Sequence, residues 1–449
     1  MDHPLVDSIT EVSGLTADRA RYLLCMLGSY PLALLFSTLL SPARASPTVR
    51  HLFQLTAGLL FCVFCFRLQV LLLLLDTGVC YLLILFSPPR LVHLTVFWWA
   101  ITFMSVSHIY RMYTDYNGYT LDFTGPTMII TMKVTSLACS VYDGTHRKQE
   151  DLNNDQKILA IRRTPTVIEY MSYMFCFTSV LSGPTFNLQD YLNFIDGSNT
   201  EQGKPVPSGI LPALLKFVAA VFFISWTFVI PADWEPFFDA EWRESHSFLY
   251  AAGYLYLMCF ITRCNYYFAW TLADSVSNLS GFGFNGYKEN GGAKWDKITN
   301  VYPHKTECSS SLKVLTDNWN VGTALWLRRV CYERSVYAPT AMTYLLSATW
   351  HGFYPGYYGC FMSATLFLLT SRKLRRVVRP KFLGSTSIKM FYDALTTVCS
   401  LLLINFASIQ LCLLSFERNY VLYKHFYCLP HIVCILIYVF CPSPKPKKE

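Results

Sequence analysis

Charge is what this sequence has least of. Asp, Glu, Lys and Arg together make up 15% of its 449 residues, whereas 53% are hydrophobic and gathered in long runs. A water-soluble chain of this length needs a more polar exterior, so the composition excludes an ordinary soluble protein and points to a bilayer as solvent. A basic face is missing too. The formal charge is +8, but the basic clusters border apolar runs instead of lining one side of a soluble fold, which argues against nucleic acid as a partner.

A secretory leader is not evident. Asp2, Asp7, Glu11 and Asp18 stand where a leader would carry a basic segment and a short apolar core. The first apolar stretch is therefore expected to remain as a membrane helix. The 16 cysteines are scattered through apolar runs, and Cys62 and Cys65 form a C-x-x-C spacing inside one, with no histidine or second pair nearby. Small apolar side chains with free thiols are expected, rather than a zinc or redox centre. Internal repeats, low-complexity tracts, metal-ligand spacings, serine or cysteine nucleophile motifs and phosphate-binding loops are all missing.

What the sequence does have is apolar runs near the length that a spanning helix needs. They fall at Tyr22–Leu40, Leu52–Phe66, Val70–Phe86, His93–Tyr113, Pro126–Tyr142, Val167–Ser182, Ile210–Ile230 and Phe248–Trp270. After a polar interval come Ala341–Trp350, Gly356–Thr370, Met390–Leu413 and Val421–Phe440. The pattern predicts an all-α polytopic membrane protein with roughly ten or eleven spanning helices, some tilted or re-entrant. It is read as one membrane-embedded domain over 1–449, with a basic tail over 441–449.

Two polar stretches interrupt the runs. Asp143–Thr164 has the composition of a surface loop with a short amphipathic helix, and Gly281–Arg334 opens with Gly283, Gly286, Gly291 and Gly292, which mark irregular backbone. Orientation follows from the C-terminal end. "SRKLRRVVRPK" (Ser371–Lys381) holds six Lys or Arg and no acid, which places it in the cytoplasm, and two crossings later the basic tail returns there. Lys445 and Lys447 also fit the K-x-K-x-x pattern of endoplasmic-reticulum retrieval signals.

Two residues could carry chemistry. "DNWNVGTALWLRRVCYER" (Asp317–Arg334) has helical phase: Trp319, Thr323, Trp326 and Val330 recur on one face, widened by Ala324, Leu327 and Cys331. Asn320 falls on that face, as a positioned amide or as an asparagine satisfying backbone groups at a helix start. Asn318 precedes the pattern and suits a cap. The second residue is His351 in "ATWHGFYPGYYG" (Ala348–Gly359), flanked by leucines and phenylalanines. An ionisable side chain in an apolar span is a functional-site hypothesis, against the plainer reading of an interface imidazole bonded to a carbonyl. A helix from Ala341 to Trp350 would rise about 15 Å, half of a ~30 Å hydrocarbon core, before Gly352, Pro355 and Gly356 break it. Irregular backbone at that depth belongs inside protein or against a wet cavity, so a buried chamber walled by the histidine is expected. A neutral imidazole can take a hydroxyl proton and an amide can hold a polarised carbonyl. The chemistry allowed is direct attack of an alcohol on an activated acyl donor such as a thioester.

The pairing of W-N-x5-W-L (Trp319, Asn320, Trp326, Leu327) with a later W-H-G-x-x-P-G-Y-Y (Trp350 to Tyr358) resembles the membrane-bound O-acyltransferases, nearest to their lysophospholipid-acylating members. "DFTGPTMIITMKVTSLA" (Asp122–Ala138), "EYMSYMFCFTSVLSGP" (Glu169–Pro184) and "YYFAWTLADSVSNLSGFGF" (Tyr266–Phe284) extend the likeness over nearly the whole chain. The resemblance implies a multi-helix fold around a chamber lined by a histidine and an asparagine, which map onto His351 and Asn320. It implies acyl-CoA as a cytosolic donor substrate, no bound cofactor or metal, and a lysophospholipid acceptor arriving from the bilayer of the endoplasmic reticulum. Trp319, Trp350, Tyr357 and Tyr358 become candidates for the chamber wall. Lys288, Lys294, Lys297, Lys305, Arg328 and Arg329 become candidates for the CoA phosphates, though acids are interspersed among them. The lysophospholipid-acylating relatives are expected to run further past the last helix than Glu449, a departure that bears on the headgroup (ethanolamine, serine or choline), whereas acyl-chain preference depends on a tunnel built from many apolar residues. Acylation of a protein serine, and a transporter or scramblase using His351 as a proton site, are the alternatives; inverted repeats would favour the last and are not seen.

Overall fold

The computed structural model describes residues 4–200 and 206–442. Lys445, Lys447 and the remainder of the tail beyond Pro442 lie outside the described residues. Regular structure among the described residues is helical throughout, with one antiparallel bridge between Tyr287 and Ala293 in the glycine-rich stretch. Among the described residues, five helices are long and apolar enough to cross a bilayer alone, or six if one bent pair is counted as a span. The expected ten or eleven is a count that these helices by themselves do not reach.

Most apolar runs become helices close to the predicted bounds. Ala17–Thr38, Pro47–Phe66, Val70–Phe86, Val92–Thr114, Thr124–Thr145, Ile210–Val229 and Thr386–Leu413 each contain the expected run, give or take a turn. Local signals set several ends. Ser46 accepts from the Val49 amide and Pro47 follows at the first helical position. Val70–Phe86 stops at Ser87, before Pro88 and Pro89.

Three expectations are corrected. Phe248–Trp270 continues without a break to Leu279, making a helix of 32 residues. The final run is two helices, Phe416–His425 and Leu429–Phe440, bent by 70° where Tyr427 and Cys428 take positive φ. The Val167–Ser182 run is helical only over Val167–Met174 and then proceeds through buried irregular backbone.

The chain folds as two compact units, one of 1–221 and 268–300, the other of 222–267 and 301–449. In the first, Thr124–Thr145 is the interior helix, since 15 of its 22 residues are buried. Lys133 on that helix explains how irregular backbone can sit inside. Its ammonium donates to the Tyr173 carbonyl at 2.8 Å, the Met174 carbonyl at 3.4 Å and Ser179 Oγ at 2.8 Å, and lies over the Phe186 ring. Carbonyls that a helix would have used are satisfied by a buried cation. Arg50 does the same for the carbonyls of Phe194 and Ile195, at 3.0 and 2.8 Å.

The second unit contains Pro339–His351, Pro355–Val378 and Thr386–Leu413. Its apolar core includes Phe237, Leu255, Phe367, Phe406 and Phe426. A polar chain crosses it: Tyr423 donates to Gln410 Oε1 at 2.6 Å, and Gln410 Nε2 to Ser363 Oγ at 3.0 Å, with His431 Nε2 2.8 Å from the same hydroxyl.

Candidate active site

His351 is the last residue of Pro339–His351. Its Nδ1 donates to the Ser347 carbonyl at 2.7 Å, one turn back. A carbonyl only accepts, so Nδ1 carries the hydrogen and Nε2 is the basic nitrogen of the neutral ring. Trp350, Phe361 and Tyr357 surround the imidazole with ring centroids at 4.7, 4.9 and 5.8 Å. Tyr358, half-buried, makes no ring contact with it among the described residues.

The break expected after His351 is found. Gly352 has φ +127°, a region that L side chains rarely adopt, and its amide closes the helix on the Ala348 and Thr349 carbonyls, both at 3.1 Å. Pro355 then opens Pro355–Val378 at a position where its lacking N–H leaves nothing unsatisfied. The Gly356 amide donates to the Leu414 carbonyl at 2.8 Å, and a side chain at Gly356 would overlap the Gln410 carbonyl. The second helix of the break is thus seated directly on the end of Thr386–Leu413.

Asp317–Arg334 departs from the single helix that its periodicity predicts. Leu312–Asp317 ends, Val321–Leu327 begins, and Arg328–Tyr332 widens to a π-helical turn. The break is Asn320 itself, left-handed at φ +49° and ψ 55°, a conformation that asparagine adopts more readily than most residues. Its carbonyl accepts the Ala324 amide at 3.0 Å and starts the new helix, while its side chain makes no capping bond there. Asn318 is a cap, but of the preceding helix: its Nδ2 donates to the Val314 carbonyl at 2.7 Å, and its own carbonyl accepts from Tyr302 at 3.0 Å. Thr323, Trp326, Val330 and Cys331 are buried as the pattern required, whereas Ala324 is exposed.

Aromatic contacts hold this turn in place. Trp319 meets Tyr266 and Tyr267 edge-on at 5.8 and 5.7 Å, and Trp326 lies 5.9 Å from Trp350, beside His351. Behind Trp319 is an ion pair that sequence reasoning missed. Arg263 grips both oxygens of Glu307 at 2.9 and 3.0 Å, donates to Asn405 Oδ1 at 2.5 Å, and Tyr267 donates to Glu307 at 2.6 Å. The available signal was Arg263, a cation inside the Phe248–Trp270 run. Of the six cations considered for CoA phosphates, Lys297 pairs with Asp190 at 2.8 Å, Arg328 with Glu333 at 2.7 Å, and Lys305 sits over the Tyr302 ring. No group of three or more His, Cys, Asp or Glu able to hold a metal ion occurs among the described residues.

A buried helix break with an aromatic-walled histidine, and a left-handed Asn320 turn linked towards it through Trp326 and Trp350, can serve proton abstraction and amide hydrogen bonding. The family model of the membrane-bound O-acyltransferases matches residues 108–416, which contain both features. This chain belongs to that family, and it is an acyltransferase. It is similar over nearly its whole length to three named relatives. Membrane-bound glycerophospholipid O-acyltransferase 2 of Homo sapiens is 35% identical, covering 99% of this chain and 89% of the relative. Membrane-bound glycerophospholipid O-acyltransferase 1 of Mus musculus is 36% identical, covering 98% and 92%. The lysophospholipid acyltransferase of Schizosaccharomyces pombe is 30% identical, covering 96% and 87%.

Proposed function

We propose that this protein transfers an acyl group from acyl-CoA to the free glycerol hydroxyl of a lysophospholipid, in phospholipid remodelling. The observation that carries the reading is the near-full-length likeness to relatives named as glycerophospholipid and lysophospholipid acyltransferases. The whole chain acts as one catalytic domain, a reading supported by the family match running through both compact units. His351 Nε2 takes the hydroxyl proton as the oxygen attacks the thioester carbonyl. The C–S bond then breaks, and the departing CoA sulfur receives that proton from the imidazolium. Asn320 holds either the hydroxyl or the thioester carbonyl, and Trp319, Trp350, Tyr357 and Tyr358 wall the chamber. Transfer of a thioester acyl group to an oxygen ester is downhill, so no metal or nucleotide hydrolysis is needed.

The protein resides in the endoplasmic-reticulum membrane with its C-terminus in the cytoplasm, a reading supported by the basic Ser371–Lys381 run and by Lys445 and Lys447. The test is an activity screen in microsomes, crossing lysophosphatidylethanolamine, -serine and -choline with saturated and unsaturated acyl-CoAs. Ester formation with at least one of these acceptors is expected. Acylation of a peptide serine with no product from any lysophospholipid would overturn the reading.

A further inference from the structure

The Pro355–Val378 helix ends in cations to which the proposed transfer step assigns no role. Arg372, Arg375, Arg376 and Arg379, with Lys313, Ser311, Ser371, Pro380 and Leu383, line a cavity of about 560 Å³. Lys313 is paired with Asp317, and Arg375 donates to the Ser310 carbonyl at 2.9 Å. None of the four arginines meets a carboxylate among the described residues, and Arg379 Nε is buried with no partner there. Charges that only fix topology need to lie near a membrane end; they do not need to converge on a concavity. Guanidinium groups that converge without acids match the oxygens of a phosphate.

What surrounds the cavity indicates which phosphate. Leu383 in its lining is exposed, and Ile388, Met390 and Phe391, also exposed, follow at the start of Thr386–Leu413. A cationic cavity at the end of a long helix is thus followed directly in the chain by exposed apolar side chains, the combination that recognises an anionic lipid headgroup. The lining contains no aromatic ring on which a nucleotide base could stack. From Pro355 to Arg372 the helix rises ~26 Å, so the cavity is separate from the His351 break. We propose that it binds the phosphate of an anionic glycerophospholipid of the surrounding membrane.

The test is lipid retention by the full chain, purified in mild detergent, exposed to equal phosphatidylserine and phosphatidylcholine and weighed by native mass spectrometry. The wild-type protein should retain phosphatidylserine in preference. Combined Arg372→Gln, Arg376→Gln and Arg379→Gln should weaken that retention about a hundredfold, at roughly fivefold per arginine, with KM for acyl-CoA unchanged. Arg375 is left intact because it also bonds Ser310. Equal retention of both lipids by the wild-type protein would overturn the proposal without any variant. Displacement of the bound lipid by free CoA or inorganic phosphate at equal concentration, or a raised KM for acyl-CoA in the triple variant, would assign the cavity to a soluble phosphate and overturn it equally.

Discussion

Replacing Asn320 by glycine separates two roles that alanine would confuse. The residue sits at φ +49°, where an alanine costs about 1–2 kcal/mol and a glycine nothing in the folded state. Asn320→Ala therefore deletes the amide and strains the turn, whereas Asn320→Gly deletes the amide alone, with up to ~1 kcal/mol lost through a freer unfolded chain. If the amide holds the reacting hydroxyl or carbonyl, its removal should lower turnover by ~10²–10³. Asn318→Ala loses the bond to the Val314 carbonyl, about 0.5–1.5 kcal/mol of stability, and should keep its rate within about twofold. The assay measures acyl transfer at saturating donor and acceptor, alongside thermal unfolding in micelles, for all three purified variants. Expected are a slow Asn320→Gly within ~1 kcal/mol of wild-type stability, a less stable and equally slow Asn320→Ala, and an active, less stable Asn318→Ala. Wild-type turnover in Asn320→Gly would refute the reasoning and reduce Asn320 to a backbone device.

His351→Ala should lower transfer by at least ~10²-fold with membrane insertion intact, and retention of a tenth of the wild-type rate in a microsomal assay would reject the base assignment. Arg263→Met leaves the half-buried Glu307 with Tyr267 alone, and breaking one side of a pair this enclosed costs up to ~3 kcal/mol. A marked fall in melting temperature, partly restored by adding Glu307→Met, is therefore expected; equal stability of the wild type and Arg263→Met would show the pair to be incidental. Gly352→Ala, forced into φ +127°, should destabilise the break and lower expression, which detergent-resistant folding by gel filtration would check. Changing Lys445 and Lys447 to Ser should let part of the protein reach the Golgi at unchanged specific activity, and an unaltered reticular pattern in imaging would sink that signal.

The sequence was most legible where one local rule sufficed. Val70–Phe86 has the predicted bounds because an apolar run meets a Ser-Pro-Pro stop, and the break after His351 is written in Gly352 and Pro355. It was least legible where a distant side chain decides. Nothing between Val167 and Ser182 announces that a lysine some forty residues earlier will take up the carbonyls of Tyr173 and Met174, yet that contact lets the segment unwind inside the protein. Asn320 failed differently. Helical periodicity counts apolar positions on both sides of a left-handed residue and cannot register one residue of reversed backbone between them. The Arg263–Glu307 pair needed a partner 44 residues away, so only half of it could be flagged from the sequence.

The position of His351 at the end of its helix has an electrostatic side. Peptide dipoles along Pro339–His351 add up to roughly half a negative charge at the C-terminal end, the end that carries the imidazole. A cation there gains about 0.3–1 kcal/mol when exposed and up to ~2 kcal/mol when partly buried. Under the proposed mechanism the ring turns cationic at the moment the hydroxyl is deprotonated, so this field acts on the transition state and adds roughly two- to thirtyfold in rate. A histidine one turn earlier on this helix would have less of that help. Under that mechanism, the direction in which this helix runs is itself part of the base.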